Sequence, residues 1–334
     1  MRALITGGSG YIGSRLVELL AAREEVERIV VADVSPPRFF LPKVQYERLD
    51  VRDGAACREL IDRCAPDTLV HLAFIVNPIH DEGLMYEVDV NGTANVLEAA
   101  GEAGTQQVLV ASSTTAYGAF PDNPVPITED WPVRGVPDYA YARDKAESDR
   151  LCQLWALRHP ERIMTIVRPC IVFGPNVDNY LVRFWTKQPF QADTGNLDLP
   201  FQFVHEEDVV EAISGLLLGR HDGAFNVTAD GLLSLRECAE VAGLPVRRMP
   251  KRVFTGMAKA LWAARALEAP PGQIRFTEHP WVASNEKVKA TLGWQPKYTS
   301  RETLELTIQA HKGVGEASAV GGPAAAPKPP APVA

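Results

Sequence analysis

Apolar residues recur along the first half of the chain in two alternating rhythms. Short unbroken apolar runs at Arg2–Thr6, Arg28–Ala32, Leu69–Leu72 and Val108–Ala111 predict strands covered on both faces. Between them lie stretches with helical spacing: Gly13–Ala22, carrying Leu16, Val17, Leu19 and Leu20, then Gly54–Arg63 and Gly92–Ala103. Strand and helix in alternation predict an α/β fold, a doubly wound parallel sheet of the Rossmann kind with helices on both faces. Tyr141–Leu157 reads as a long helix and Arg162–Arg168 as a further strand.

After Pro175 the pattern loosens. Leu199–Val204 predicts a short strand and Glu207–Leu218 a helix. Ser234 is placed to cap a helix over Leu235–Ala242, with Glu237 at the capping-box position. Val253–Leu267 predicts a helix with Lys259 and Arg265 on an otherwise apolar segment, expected to pack on the body of the protein; a greasy pocket wall or a membrane surface are the alternatives. The expected division is a dinucleotide-binding Rossmann domain over 1–175, to which later segments return, and a smaller C-terminal α/β substrate-binding region over 176–312. A Gly, Ala and Pro rich tail over 313–334 is expected to be disordered.

Composition narrows the classes. The chain has 334 residues, 46% hydrophobic and 23% charged, enough for a packed core. A net charge of -8 argues against a broad nucleic-acid-binding surface. Five cysteines without a CxxC pair fit a reducing compartment and disfavour a disulfide framework. Metal-ligand spacing is absent, so no metal is expected. The first residues lack a signal-peptide pattern and no 18-residue apolar run occurs, so a cytoplasmic protein without a membrane span is expected.

The segment Thr6–Gly13 reads TGGSGYIG, and its glycines satisfy GxGxxG (Gly8, Gly10, Gly13) and GxxGxxG (Gly7, Gly10, Gly13). It lies between the first strand and the first helix, where a turn free of Cβ atoms admits a pyrophosphate and the helix start supplies free N–H groups. Asp33 ends the second strand, 20 residues after Gly13. A carboxylate there accepts ribose hydroxyls and repels a 2′-phosphate, which favours NAD. Asp50 and Val51 follow the next strand-like run and are candidates to flank the adenine. Tyr141 and Lys145 stand four apart on one helix face, and a nearby ammonium lowers a phenol's pKa toward the range of a usable acid/base. Ser112, Ser113, Thr114 and Thr115 follow a strand's C-terminal end, where ligands bind in open α/β sheets. His71 and His205 read as packed, hydrogen-bonded histidines, and Glu207 and Asp208 as charges favouring a helix start.

Together these residues resemble the extended short-chain dehydrogenase/reductase superfamily, specifically the NAD-dependent epimerase/dehydratase family, in its UDP-glucose/galactose 4-epimerase-like form. The stretches are TGGSGYIG (6–13), Asp33, LDVRD (49–53), DTLVHLA (67–73), VNGTANVLEAA (90–100), SSTTAYG (112–118), YARDK (141–145), RPCIVFGP (168–175), FVHEEDV (203–209) and LGWQP (292–296). The resemblance implies bound NAD, with Gly7, Gly10, Tyr11, Ile12, Gly13, Asp33, Asp50, Val51 and Ala73 along the nucleotide groove. It implies Tyr141 as acid/base, Lys145 holding the nicotinamide ribose, Ser113 as the catalytic hydroxyl with Thr114 or Thr115 behind it, and Asn91 as a structural residue near the site. It also implies a homodimer packed through the helices of Asn91 and Tyr141.

The sequence departs from that pattern where the substrate would lie. Ile171 stands where 4-epimerases carry an Asn that contacts the nucleotide-sugar, and Phe201 where an Arg binds its diphosphate; Arg183 or Lys187 are candidate replacements. Ser113 is followed by Thr114 and Thr115 rather than the Asp-Glu of sugar dehydratases. The expected function is NAD-dependent epimerisation of a nucleotide-sugar. The alternatives are net oxidation or reduction of an apolar alcohol or ketone, sterol-like or isoprenoid-like, and a non-catalytic NAD-binding regulator.

Overall fold

The structure, a computed structural model, describes residues 1–317. Its first half is β1 (Arg2–Thr6), α1 (Tyr11–Ala21), β2 (Arg28–Asp33), β3 (Val44–Arg48), α2 (Gly54–Cys64), β4 (Thr68–His71), α3 (Glu82–Tyr86), α4 (Gly92–Glu102), β5 (Gln107–Ala111), α5 (Ala140–Arg158) and β6 (Ile163–Pro169). The second half is β7 (Ile171–Phe173), α6 (Tyr180–Lys187), β8 (Gln191–Asp193), β9 (Pro200–Phe201), β10 (Phe203–His205), α7 (Glu206–Leu218), β11 (Gly223–Val227), β12 (Leu233–Ser234), α8 (Leu235–Val241), β13 (Val246–Arg248), α9 (Lys251–Ala263), α10 (Glu286–Leu292) and α11 (Ser300–Ala317).

Seven strands form one parallel sheet in the order β11-β6-β5-β4-β1-β2-β3. The predicted doubly wound fold is therefore the observed one. Because side chains alternate across a strand, neighbours point to opposite cores. Ile5, Val31, Val70 and Leu109 meet Leu16, Val17 and Leu20 of α1 and Ile213, Leu216 and Leu217 of α7 on one face. Leu4, Val30, Leu69 and Val108 meet Leu60 and Ile61 of α2, Val96 and Leu97 of α4, and Trp155 of α5 on the other. The strand order reverses between β1 and β4, which opens a crevice at the strands' C-terminal ends.

Beyond those ends sits a third core rich in aromatics, including Phe173, Trp185, Phe201, Phe203, Phe276 and Trp281. Three two-stranded ladders brace it: β7 with β10, β9 with β12, and β8 with β13. The single strand expected over Leu199–Val204 is thus two. Gln202 separates them: its buried carboxamide donates to Thr228 Oγ1 (3.1 Å) and Ala283 O (3.1 Å) and accepts from Ala283 N (3.0 Å), which turns each flank to a different partner.

Other expectations shift at their ends. The helix expected from Gly92 is preceded by α3 and a π-helical turn, Glu87–Asn91, because Asp81 caps α3 by accepting from Leu84 N (2.9 Å). The Ser234–Glu237 capping box is present at α8. α9 ends at Ala263, short of Leu267, and packs on the body as expected through Ala258, its one buried residue, and Trp262, which stacks on His80; Val253, Met257 and Leu261 are left exposed. Residues 313–317 of the expected disordered tail continue α11, since they extend a helix already anchored by Leu304 and Ile308; 318–334 lie outside the described residues.

Candidate functional site

The glycine turn follows β1. Gly7 has φ 73°, and a Cβ there would lie 2.5 Å from Ala73 N, so the backbone of Ala73 forms the turn's floor. A Cβ on Gly13 would lie 2.3 Å from Gly7 O. The turn is therefore closed to any larger residue. Gly10 caps α1 without a side chain, so the first N–H groups of α1, at Tyr11, Ile12 and Gly13, have no side-chain acceptor. Asp33 is held at the turn's mouth, where its two oxygens accept from Ser9 N (3.0 Å) and Ser35 N (2.9 Å) and keep lone pairs for further donors. A cradle bare of Cβ atoms, a helix start and a carboxylate beside it fit a dinucleotide.

The other nucleotide candidates are more engaged. Asp50 pairs with Arg52 at 2.5 Å, which holds its carboxyl below the ordinary range. Val51 is buried against Gly92 and accepts from Asn95 Nδ2 through its carbonyl (3.0 Å). Tyr11 directs its hydroxyl to Glu206, which also accepts from Asn176 Nδ2 (2.7 Å) and pairs with Arg15 (2.9 Å). Glu206 thereby ties the segment after Pro175 to the glycine turn. Sequence reading missed it because the helix expected from Glu207 begins one residue earlier.

Ser113, Tyr141 and Lys145 come together at the C-terminal ends of β5 and β6. Ser113 caps the 3₁₀ turn Thr114–Tyr117, accepting from Thr115 N (3.2 Å) and donating to Pro169 O (3.4 Å). Tyr141 lies in the first turn of α5 with its ring edge-on to Phe74 at 5.7 Å. Lys145 Nζ donates to Ala111 O (2.6 Å), 3.5 Å from the Phe74 ring centre and 5.9 Å from that of Tyr141.

The expected lowering of the phenol by its lysine is not what this structure holds. Burial pushes Tyr141 up, the neighbouring Ser113 hydroxyl pulls it down, and the Asp89 charge pushes it up again. The ammonium is itself disfavoured by burial and is bonded to a backbone carbonyl instead of the phenol. Asp89, on the π-helical turn, was not singled out from sequence. It is fully buried, accepts from Ile75 N (2.7 Å) through one oxygen, and leaves the other without a partner. Burial raises its pKa, and its charge in turn favours the Lys145 cation. Asn91 closes the same turn, but it is Asp89 whose charge reaches Lys145.

Beneath the site runs a buried polar chain. Ser112 Oγ donates to Asp149 (2.6 Å), which accepts twice from Arg168 (2.9 and 2.8 Å). Arg168 donates to Tyr117 OH (2.8 Å), and Tyr117 donates to Asn226 (2.8 Å). The chain fixes the segment that carries Ser113. His71 bridges Thr6 (2.6 Å) and Thr93 (3.0 Å) below the groove, and burial pushes its pKa down to about 3. His205 accepts from Glu207 N (3.3 Å) as the cap of α7. Both histidines are structural, as expected.

Ile171 and Phe201, expected from the sequence to face the substrate, lie in the aromatic core. Arg183 is bound by Asp178 and Glu268, each at 2.7 Å, and Lys187 ends α6. Among the described residues no group of acidic, His or Cys side chains has the geometry of a metal site, and no helix is long and apolar enough to cross a membrane.

Comparison with known proteins agrees with this architecture. A UDP-glucose 4-epimerase from Thermus thermophilus, solved with NAD, is 27% identical with a TM-score of 0.70, covering 94% of this chain and 99% of that one. An uncharacterized protein of Mycobacterium tuberculosis is 26% identical over 316 residues, 90% of this chain and 82% of its own length. UDP-glucuronic acid decarboxylase 4 of Arabidopsis thaliana is 27% identical over 329 residues, 92% of this chain and 68% of its own length. The model of the NAD dependent epimerase/dehydratase family matches residues 3–228, from the first strand through the last strand of the main sheet, and the chain belongs to that family of enzymes.

Proposed function

We propose that the chain epimerises a nucleotide-sugar at a hydroxyl-bearing carbon, with Tyr141 as the acid/base. The observation that carries this reading is the convergence of Ser113, Tyr141 and Lys145 beside a glycine turn closed to side chains. Gly7, Gly10, Tyr11, Ile12 and Gly13 would hold the pyrophosphate of NAD through backbone N–H groups, and Asp33 its adenosine ribose. When bound, NAD supplies a reversible acceptor for the hydride on the sugar carbon. Tyr141 removes the hydroxyl proton as the hydride leaves and restores it on return. Ser113 donates a hydrogen bond to the same oxygen, and Lys145, bonded here to Ala111 O, would hold the nicotinamide ribose. Burial disfavours the phenolate in the structure as it stands, so Tyr141 must first release its own proton to solvent before it can accept the substrate's, a loss that a nearby positive charge would favour.

The test is turnover of UDP-, dTDP- and GDP-sugars by purified protein without added NAD. Isomerised product is expected from one of them, and Tyr141→Phe should lower kcat by ~10²–10⁴-fold while NAD remains bound. No product across the panel would overturn the reading. A second reading, net redox on an apolar alcohol or ketone, is favoured by Phe201 and Ile171, expected from the sequence to face the substrate, and by Arg183 being occupied by two carboxylates. Its signature is NADH changing one-for-one with product. A homodimer through α4 and α5 is part of the proposal, supported by Leu154 and Leu157 lying exposed on α5.

A further inference from the structure

α9 carries an apolar stripe that faces away from the described body of the protein. Val253, Met257 and Leu261 recur every four residues, so they form one stripe, and they are 56%, 38% and 38% exposed. The adjoining side of the helix meets the body through Ala258 and through Trp262, which stacks on His80 at 3.9 Å. Charge is distributed as unevenly as apolar area. From Arg247 to Arg265 the chain carries Arg247, Arg248, Lys251, Arg252, Lys259 and Arg265 and no Asp or Glu, in a protein of net charge -8. Lys251 is paired with Glu278 at 2.9 Å, whereas Arg252 and Lys259 are exposed and form no ion pair among the described residues.

We propose that α9 docks on a membrane surface containing anionic lipid. Val253, Met257 and Leu261 enter the headgroup boundary, and Arg252, Lys259 and the adjoining arginines meet the lipid phosphates. A helix lying in the interface needs a narrow apolar face beside a basic one, and that is the pattern here. An acidic protein would be repelled by an anionic bilayer except through such a local patch. The body side of the helix also reaches the loop beside the cleft. Trp262 contacts His80 in the loop that carries Phe74, and Phe74 touches both Tyr141 and Lys145. The inference goes beyond the proposed reaction and does not depend on it.

The test is co-sedimentation of the full chain with vesicles of phosphatidylcholine, with and without phosphatidylglycerol. Binding is expected only with phosphatidylglycerol and should weaken as salt is raised. Val253→Ser/Met257→Ser/Leu261→Ser and, separately, Arg252→Glu/Lys259→Glu should each lower binding by at least about tenfold. All five positions are exposed, and unchanged NAD retention in each variant shows that the fold is intact and keeps this test separate from that of the reaction. Should the triple serine variant not fold, the charge-reversal pair decides alone. No binding to phosphatidylglycerol vesicles, or binding indifferent to the charge reversal, would overturn the proposal. So would a sedimentation profile in which the serine variant dissociates a dimer, since a second copy would then cover the face.

Discussion

His71 shows how burial alone sets a side chain's chemistry. Wedged between Thr6 and Thr93 and wholly buried, it stays neutral in the folded protein down to about pH 3, while in the unfolded chain it gains a proton below about pH 6.5. Within that window the unfolded state binds more protons, so acid favours unfolding through this group. The loss is about 1.4 kcal/mol for each pH unit below 6.5, and none arises above it. Thermal melts from pH 7 to 5 should show His71→Gln falling less steeply than the parent protein; equal slopes would contradict the assignment. The same physics separates what could be read at this scale. The glycine turn and the Tyr141–Lys145 spacing were legible because each is a local pattern. Asp89, Glu206 and Arg168 were not, because which buried polar groups meet depends on segments distant in sequence.

The elements follow the same division. Five strands of the main sheet, β1, β2, β4, β5 and β6, were legible nearly to the residue, since a parallel strand covered on both faces must be a continuous apolar run; the partly exposed edge strand β3 and the strand β11 do not present such a run. The capping box at α8 was legible because its chemistry is confined to four residues. Ser234 accepts from Glu237 N (3.2 Å), and Ser234→Ala should cost about 1 kcal/mol, read as a lowered melting temperature with NAD retention unchanged. One expected strand was split and one expected helix left partly uncovered, for tertiary reasons. Leu199–Val204 broke because Gln202 found partners in the 228 and 283 segments. α9 packs through Ala258 and Trp262, but its stripe of Val253, Met257 and Leu261 is left exposed among the described residues, which no local pattern reveals.

For the whole molecule, the decisive contacts join the two halves. Arg168, near the end of β6, holds Asp149 of α5 and reaches Asn226 of β11 through Tyr117, so one ionic group links the helix of Tyr141 to the last strand of the sheet. Both charges are almost completely buried. Removing one leaves the other unpaired, so Asp149→Ala should destabilise the protein by about 3–5 kcal/mol, seen as a large drop in melting temperature. Replacement of Arg58, whose pairs with Glu98 and Glu102 are exposed, should change it little.

The sequence by itself determined the strand and helix alternation, the glycine turn with Asp33 behind it, and the Tyr141–Lys145 spacing, because each depends on neighbours along the chain. Tertiary structure alone decided that Asp89 lies where its carboxylate favours the Lys145 cation, that burial disfavours the Tyr141 phenolate, and that the Val253, Met257 and Leu261 stripe of α9 is exposed among the described residues. Those outcomes depend on desolvation and long-range packing, which bring together residues that no spacing along the chain connects.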